Sequence, residues 1–178
     1  MSQHTIADIY TANDSIRERL IESFATLTDR QVSTLPDGEK WNVAQILEHV
    51  SMVESGMSRI CSKLLSKAKA EDHRANGFIT VSDGFTAKGE EVATVKLDAP
   101  EMVHPSNGKT ISQTLAAMEE NRETLNQLRP LFDEYDCNTR KFPHPYFGDL
   151  SAGEWLMLIG GHEARHLRQI RTLVDKIG

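Results

Sequence analysis

Residues 151–178 read SAGEWLMLIGGHEARHLRQIRTLVDKIG. Ser151 followed three residues later by Glu154 is the signature of a capping box. Trp155, Ile159, Ile170, Leu173 and Ile177 then recur at helical spacing, which predicts one long amphipathic helix. His162 and His166 are four residues apart, slightly more than one turn, so both imidazoles share a face. By the same counting that face is the apolar one, so the pair is expected to project inward.

Three further stretches supply helices for this one to pack against. Residues 5–30 place Ile6, Ile9, Ile16, Leu20, Phe24 and Leu27 along one side and stop before Pro36-Asp37-Gly38. A second helix starts at Asn42, which forms a capping box with Gln45, and buries a stripe that includes Val43, Ile46, Val50, Met57 and Leu64. A third opens at Thr110 with Gln113 and presents Ile111, Leu115, Met118, Leu125 and Phe132, with Pro130 limiting its regular length. Between the second and third, residues 70–107 are punctuated by Gly77, Gly84, Gly89, Pro100 and Pro105. Short extended pieces are expected there at Phe78-Ile79-Thr80-Val81 and Val92-Ala93-Thr94-Val95. A connection that long is uncommon without a task, and a crossover that also covers a site fits it. The expectation is an all-α fold: one four-helix bundle over residues 1–178, with a long crossover between helices 2 and 3.

Composition narrows the function. The chain of 178 residues is 39% hydrophobic and 26% charged, enough for one ordinary core. Twenty basic residues against 26 acidic ones give a net charge of −6, with no basic cluster interleaved with aromatics, which disfavours nucleic-acid and anionic-membrane partners. The N-terminal MSQHTIADIY has neither a basic nor an apolar leader segment, and no apolar run approaches the ~20 residues that span a bilayer. A cytoplasmic protein is expected. Cys61 and Cys137 form no CxxC pair and read as reduced thiols without a thiolate role.

An inward histidine pair must be hydrogen-bonded or coordinated. Carbonyl or carboxylate partners in the core are one solution, and a metal in a bundle core is the other. The segment His162-Glu163-Ala164-Arg165-His166 has the spacing of the H-E-x-x-H metalloprotease motif, but no histidine follows it, so a further ligand must come from upstream. His49, about two turns into the second helix, is the best candidate, with Glu48 or Asp14 as the carboxylate alternatives. Three imidazoles on one divalent ion leave positions open for water or substrate, as catalytic sites require. Glu163 is a candidate base or partner of a ligand, although its side chain points about 100° away from His162. Arg165 is a candidate for an anionic substrate group or a helix-face carboxylate. His144, before Pro145-Tyr146-Phe147-Gly148, is a candidate pocket-lining residue. His4, His73 and His104 are expected to be solvent-exposed.

The run from Trp41 through Asn42, Glu48 and His49 to Val50, then His144 to Gly148, Glu154-Trp155, and the ending His162, Arg165, His166, Gln169 and Ile170 resembles the DinB-like metalloprotein superfamily over nearly the whole chain. The resemblance implies an up-down-down-up bundle, a homodimer, and a site for zinc, nickel or a similar ion on His49, His162 and His166. It also implies a small-molecule substrate, and relatives include S-transferases that use low-molecular-weight thiols. The expected function is a metal-dependent enzyme that activates a thiol or water. A metal-dependent hydrolase, a non-catalytic stress-related metal-binding protein and an interaction scaffold are the alternatives.

Overall fold

The computed structural model describes residues 2–95, 97–106 and 108–177. In chain order its elements are β1 (Ser2–Thr5), α1 (Ile6–Glu22), α2 (Asp29–Ser33), α3 (Val43–Ala70), β2 (Phe78–Val81), α4 (Asp83–Thr94), a 3₁₀ turn at Glu101–Val103, α5 (Ile111–Glu134), β3 (Lys141–His144), β4 (Gly148–Ser151) and α6 (Ala152–Ile177). The long helices α1, α3, α5 and α6 make the expected four-helix bundle.

Side-chain pairings give the helix directions. Tyr10 and Arg17 on α1 donate to the carbonyls of Leu125 and Met118 on α5, so these two helices are antiparallel. Asn13 reaches the Leu156 carbonyl and Arg17 reaches Glu163, so α1 and α6 run together. On α3, His49 meets His162 and Cys61 meets the Ala152 carbonyl, which makes α3 antiparallel to α6. The order is up-down-down-up.

The capping boxes read in the sequence close as expected. Gln45 N–H donates to Asn42 Oδ1 at 2.9 Å while Asn42 N–H donates to Gln45 Oε1 at 2.9 Å, and Thr110 with Gln113 does the same. At the head of α6, Ser151 N–H donates to Glu154 Oε2 at 3.0 Å and Glu154 N–H donates to Ser151 Oγ at 3.2 Å. The second Glu154 oxygen accepts from the backbone and hydroxyl of Ser82, which ties the crossover to the bundle.

Several boundaries differ from the sequence reading. The first helix ends at Glu22 rather than near residue 30, because Thr28 and Gln31 form a capping box of their own and start α2. Ser2–Thr5 pairs antiparallel with Phe78–Val81, so His4, expected to be solvent-exposed, lies opposite Ile79 and is half-buried. The first predicted extended piece of the crossover is therefore β2. The second is the end of α4, whose N-cap Ser82 accepts from Phe85 N–H. Helix α5 continues through Pro130, whose ring and whose partner residue Asn126 both lie on the exposed side, where solvent meets the freed carbonyl.

Two apolar clusters fill the bundle. One gathers Tyr10, Cys61, Leu65, Leu125, Phe132, Trp155 and Leu156, and the other Leu20, Phe24, Ile46, Val50, Met118, Leu167 and Ile170. Between them lies a charged layer with one residue per helix: Arg17, Glu54, Arg122 and Glu163, all buried. Gly160 permits the close approach of α1 and α6, since a Cβ there would overlap the Asn13 side chain. Among the described residues no helix is long and apolar enough to cross a membrane.

Candidate metal centre

His49 enters from α3, seven residues after the Asn42 cap, and Trp41 lies against it with ring centroids 5.0 Å apart. His162 and His166 enter from α6. Nε2 of His162 stands 3.2 Å from Nε2 of His49 and 3.2 Å from Nε2 of His166. The three nitrogens thus converge on one point at the α3–α6 seam. His49 and His166 are buried, and His162 is partly open to a cleft.

Hydrogen bonds on the far side of two rings fix their tautomers. Nδ1 of His49 is 2.8 Å from the Val103 carbonyl, and Nδ1 of His166 is 2.9 Å from Gln169 Oε1. Each Nδ1 must carry the hydrogen to donate to an oxygen, so each Nε2 presents a lone pair. Burial lowers the pKa of all three imidazoles: His166 falls to about 3, His162 well below its ordinary value with His166 and His49 adding to the effect, and His49 also falls. All three rings are neutral at pH 7. Among the described residues no bond at Nδ1 fixes the His162 tautomer: with hydrogen on Nε2 it can donate to one of the two facing lone pairs, and with a lone pair there it completes a set of three that a cation at their focus would satisfy. Two nitrogens bound tetrahedrally to one zinc at ~2.0–2.1 Å stand about 3.3 Å apart, which matches the spacing. The donor set fits a divalent ion of the borderline type.

The three histidines are the one group of His, Cys, Asp or Glu ligand atoms that converges in this way among the described residues. The carboxylates weighed as alternatives are engaged elsewhere. Glu48 accepts from Ser106 Oγ at 2.6 Å, and Asp14 lies 3.2 Å from Arg122. Glu163 turns towards the bundle axis and binds Arg17 at 2.5 Å, away from the imidazoles. Inwardness on α6 is therefore divided: Glu163 faces the axis, and His162 and His166 face α3. Among the described residues Arg165 has no carboxylate partner. Its guanidinium donates to the carbonyls of Val92 and Val95 at the end of α4, and so holds the crossover against α6.

Both cysteines are free and buried, and burial raises both thiols, Cys137 to about 12. No thiolate role follows. His73 and His104 are exposed as expected, with the His104 ring edge on Trp41. His144 lines the cleft. The cleft has a volume of about 1700 Å³ and runs from the three histidines between α3, α6, the crossover and the β3–β4 turn. Sequence reasoning missed the Val103 carbonyl, because a backbone acceptor leaves no sequence mark. Gln169, three residues after His166, was in view, although nothing in its type announced the bond.

The imidazole shifts fix a pH dependence for the metal-free protein. The folded values lie below the unfolded value of 6.5, so the unfolded chain binds more protons as pH falls between 6.5 and about 3. The stabilisation is present above pH 6.5 and is lost on acidification, by about 1.4 kcal/mol per pH unit for each ring held neutral. Urea midpoints at pH 7 and pH 5 should show a fall that is shallower in His166→Gln. An equal fall in the variant would mean the ring is not held neutral.

Comparison with known proteins agrees with this architecture. The DinB superfamily profile matches residues 12–170. The uncharacterized protein YuaE of Bacillus subtilis (strain 168) is 24% identical over 152 residues, covering 85% of this chain and 88% of that protein. Among solved structures, TT2238, described as a four-helix bundle protein, superposes with a TM-score of 0.58 at 19% identity, over 94% of this chain and 98% of that one. At that identity the likeness speaks for the fold alone.

Proposed function

The chain belongs to the DinB superfamily, and from that premise we propose that it is a metal-dependent enzyme holding one divalent transition ion, zinc or nickel, on His49, His162 and His166. One observation carries the proposal: the Nε2 atoms of three neutral imidazoles converge on a common focus, and bonds at Nδ1 lock two of them, His49 and His166, with their Nε2 lone pairs turned to it. A single Nε2–H on His162 could answer only one of the two lone pairs that face it with good geometry, whereas an ion at the focus would answer all three nitrogens. With three protein ligands a tetrahedral ion keeps an open position, and His162 borders the cleft through which a small molecule can reach it.

When bound, such an ion lowers the pKa of a coordinated water or thiol and makes a nucleophile available at neutral pH. The chain's own residues do the rest. Val103 and Gln169 orient two ligands, Trp41 backs His49, and Arg165 holds the crossover over the seam. The preferred reaction is S-transfer from a low-molecular-weight thiol to a small electrophile: a C–S bond forms, the leaving group departs with its electron pair, and the thiol proton goes to solvent. A homodimer belongs to the same reading and rests on the family resemblance; a cytoplasmic location, read from the sequence, is its expected setting.

Cobalt substitution tests the open position. Adding a small thiol to the cobalt protein should produce a near-ultraviolet sulfur-to-cobalt band and shift the visible bands, as sulfur replaces water. A spectrum that answers azide but not thiols would replace thiol transfer by hydrolysis. One indifferent to every small ligand would mean a closed, structural ion and would overturn the enzymatic reading.

A further inference from the structure

The end of the cleft remote from the three histidines has a chemistry of its own. His144 closes β3 and packs on Trp155 and Phe147, with ring centroids 5.2 and 5.1 Å away. Its Nδ1 accepts from the backbone N–H groups of Tyr146 at 3.1 Å and Phe147 at 3.3 Å. That fixes the tautomer, so Nε2 carries the hydrogen. Among the described residues Nε2–H has no protein acceptor, and the residue lines the cleft.

Cations line the same cleft. Lys63 Nζ lies 5.1 Å from the centroid of Phe142, which in turn is 6.5 Å from Trp155. Arg59, one turn earlier on the same face of α3, also lines the cleft. Neither has a carboxylate partner among the described residues, and like charges at i, i+4 repel by a few tenths of a kcal/mol. The imbalance extends to the whole cleft: six lysines and arginines line it against three carboxylates, on a chain whose net charge is −6. Lys63, Phe142, Trp155 and His144 thus follow one another by ring contacts along the cleft wall, with Arg59 on the same face of α3 as Lys63. Trp155 is about 10 Å along α6 from His162, and Arg59 and Lys63 are about 15 and 21 Å along α3 from His49, so the two cations stand well away from the three imidazoles.

We infer that this end of the cleft is a subsite for the carboxylate of an apolar substrate, bound by His144 Nε2–H, Lys63 and Arg59 while its hydrocarbon body lies on Trp155 and Phe142. Burial lowers the His144 pKa to about 4, so above that pH the ring donates as a neutral group and the charge comes from α3. The inference deepens the proposed function by naming a substrate class: elongated organic acids whose carboxylate lies roughly 10–20 Å from the reacting group. From that reading it takes only the idea that substrate sits in the cleft.

The test uses metal-free protein, so it does not depend on the metal. In a Trp41→Phe background Trp155 is the sole tryptophan, and its fluorescence reports binding of 4-phenylbutanoate or its neutral counterpart 4-phenylbutanamide. The acid should bind roughly tenfold more tightly than the amide, as expected for a charge-assisted hydrogen bond. Because Lys63 and Arg59 are exposed and their replacement should leave the fold intact, Lys63→Gln with Arg59→Gln should abolish the preference while leaving amide affinity unchanged. Equal affinity for acid and amide, a preference that survives the double substitution, or no response of Trp155 would overturn the subsite. None of these results would touch the three-histidine centre, and loss of metal binding would not touch this subsite.

Discussion

Arg17→Met is expected to lower the unfolding free energy by about 3–5 kcal/mol, the range for removing one partner from a buried ion cluster. Arg17 bridges Glu54 at 2.6 Å and Glu163 at 2.5 Å, and also donates to the Met118 carbonyl at 3.1 Å. Its removal leaves two buried carboxylates, with Arg122 3.7 Å from Glu54 and 3.6 Å from Glu163 as the remaining compensation. Burial already pushes the Glu54 carboxyl up, and without Arg17 it should rise further and take up a proton. Urea unfolding followed by far-ultraviolet circular dichroism measures the loss. A change below about 1 kcal/mol would mean that the pairs behave like exposed ones, which contribute little.

This layer shows what the sequence concealed. Arg17 falls on the apolar stripe of α1 between Tyr10 and Leu20, Glu54 on that of α3 between Val50 and Met57, and Arg122 on that of α5 between Met118 and Leu125. Each reads alone as a polar interruption of an otherwise amphipathic pattern. Only the registry of four helices brings them to one level, and registry is a tertiary property. Helix α4 was hidden for a related reason. Its glycines at 84 and 89 weaken helix propensity, and what secures it are contacts from outside: Glu154 on its cap and Arg165 on its last carbonyls.

What was legible rested on local physics. The boxes at Asn42, Thr110 and Ser151 satisfy orphan N–H groups within four residues, so their signature survives in the chain. The pairing of His162 with His166 follows from helix geometry, and the same geometry separates Glu163 from both. His49 was reachable only because a third ligand had to lie upstream, and helix counting and family resemblance selected the same residue. The cleft's remote end was visible as single residues, His144 above all, but not as a group.

The second large effect concerns the metal. His162→Ala should weaken binding of zinc or nickel by more than about a hundredfold, since even an outer partner of a ligand is worth 10–100-fold. His162 occupies the middle of the cluster, within 3.2 Å of both other Nε2 atoms, so no remaining pair encloses the ion in the same way. The fold should persist, because His162 is only partly buried and the apolar clusters do not include it. His73→Ala, an exposed change on the crossover, is the matched control.

The most direct test is a metal analysis and competitive chelator titration of untagged protein, wild type beside His49→Ala, His162→Ala and His166→Ala, with circular dichroism on each. One tightly held ion per chain is expected in the wild type, lost from all three variants with helicity retained. Full stoichiometry at unchanged affinity in any one of the three would contradict the three-histidine assignment.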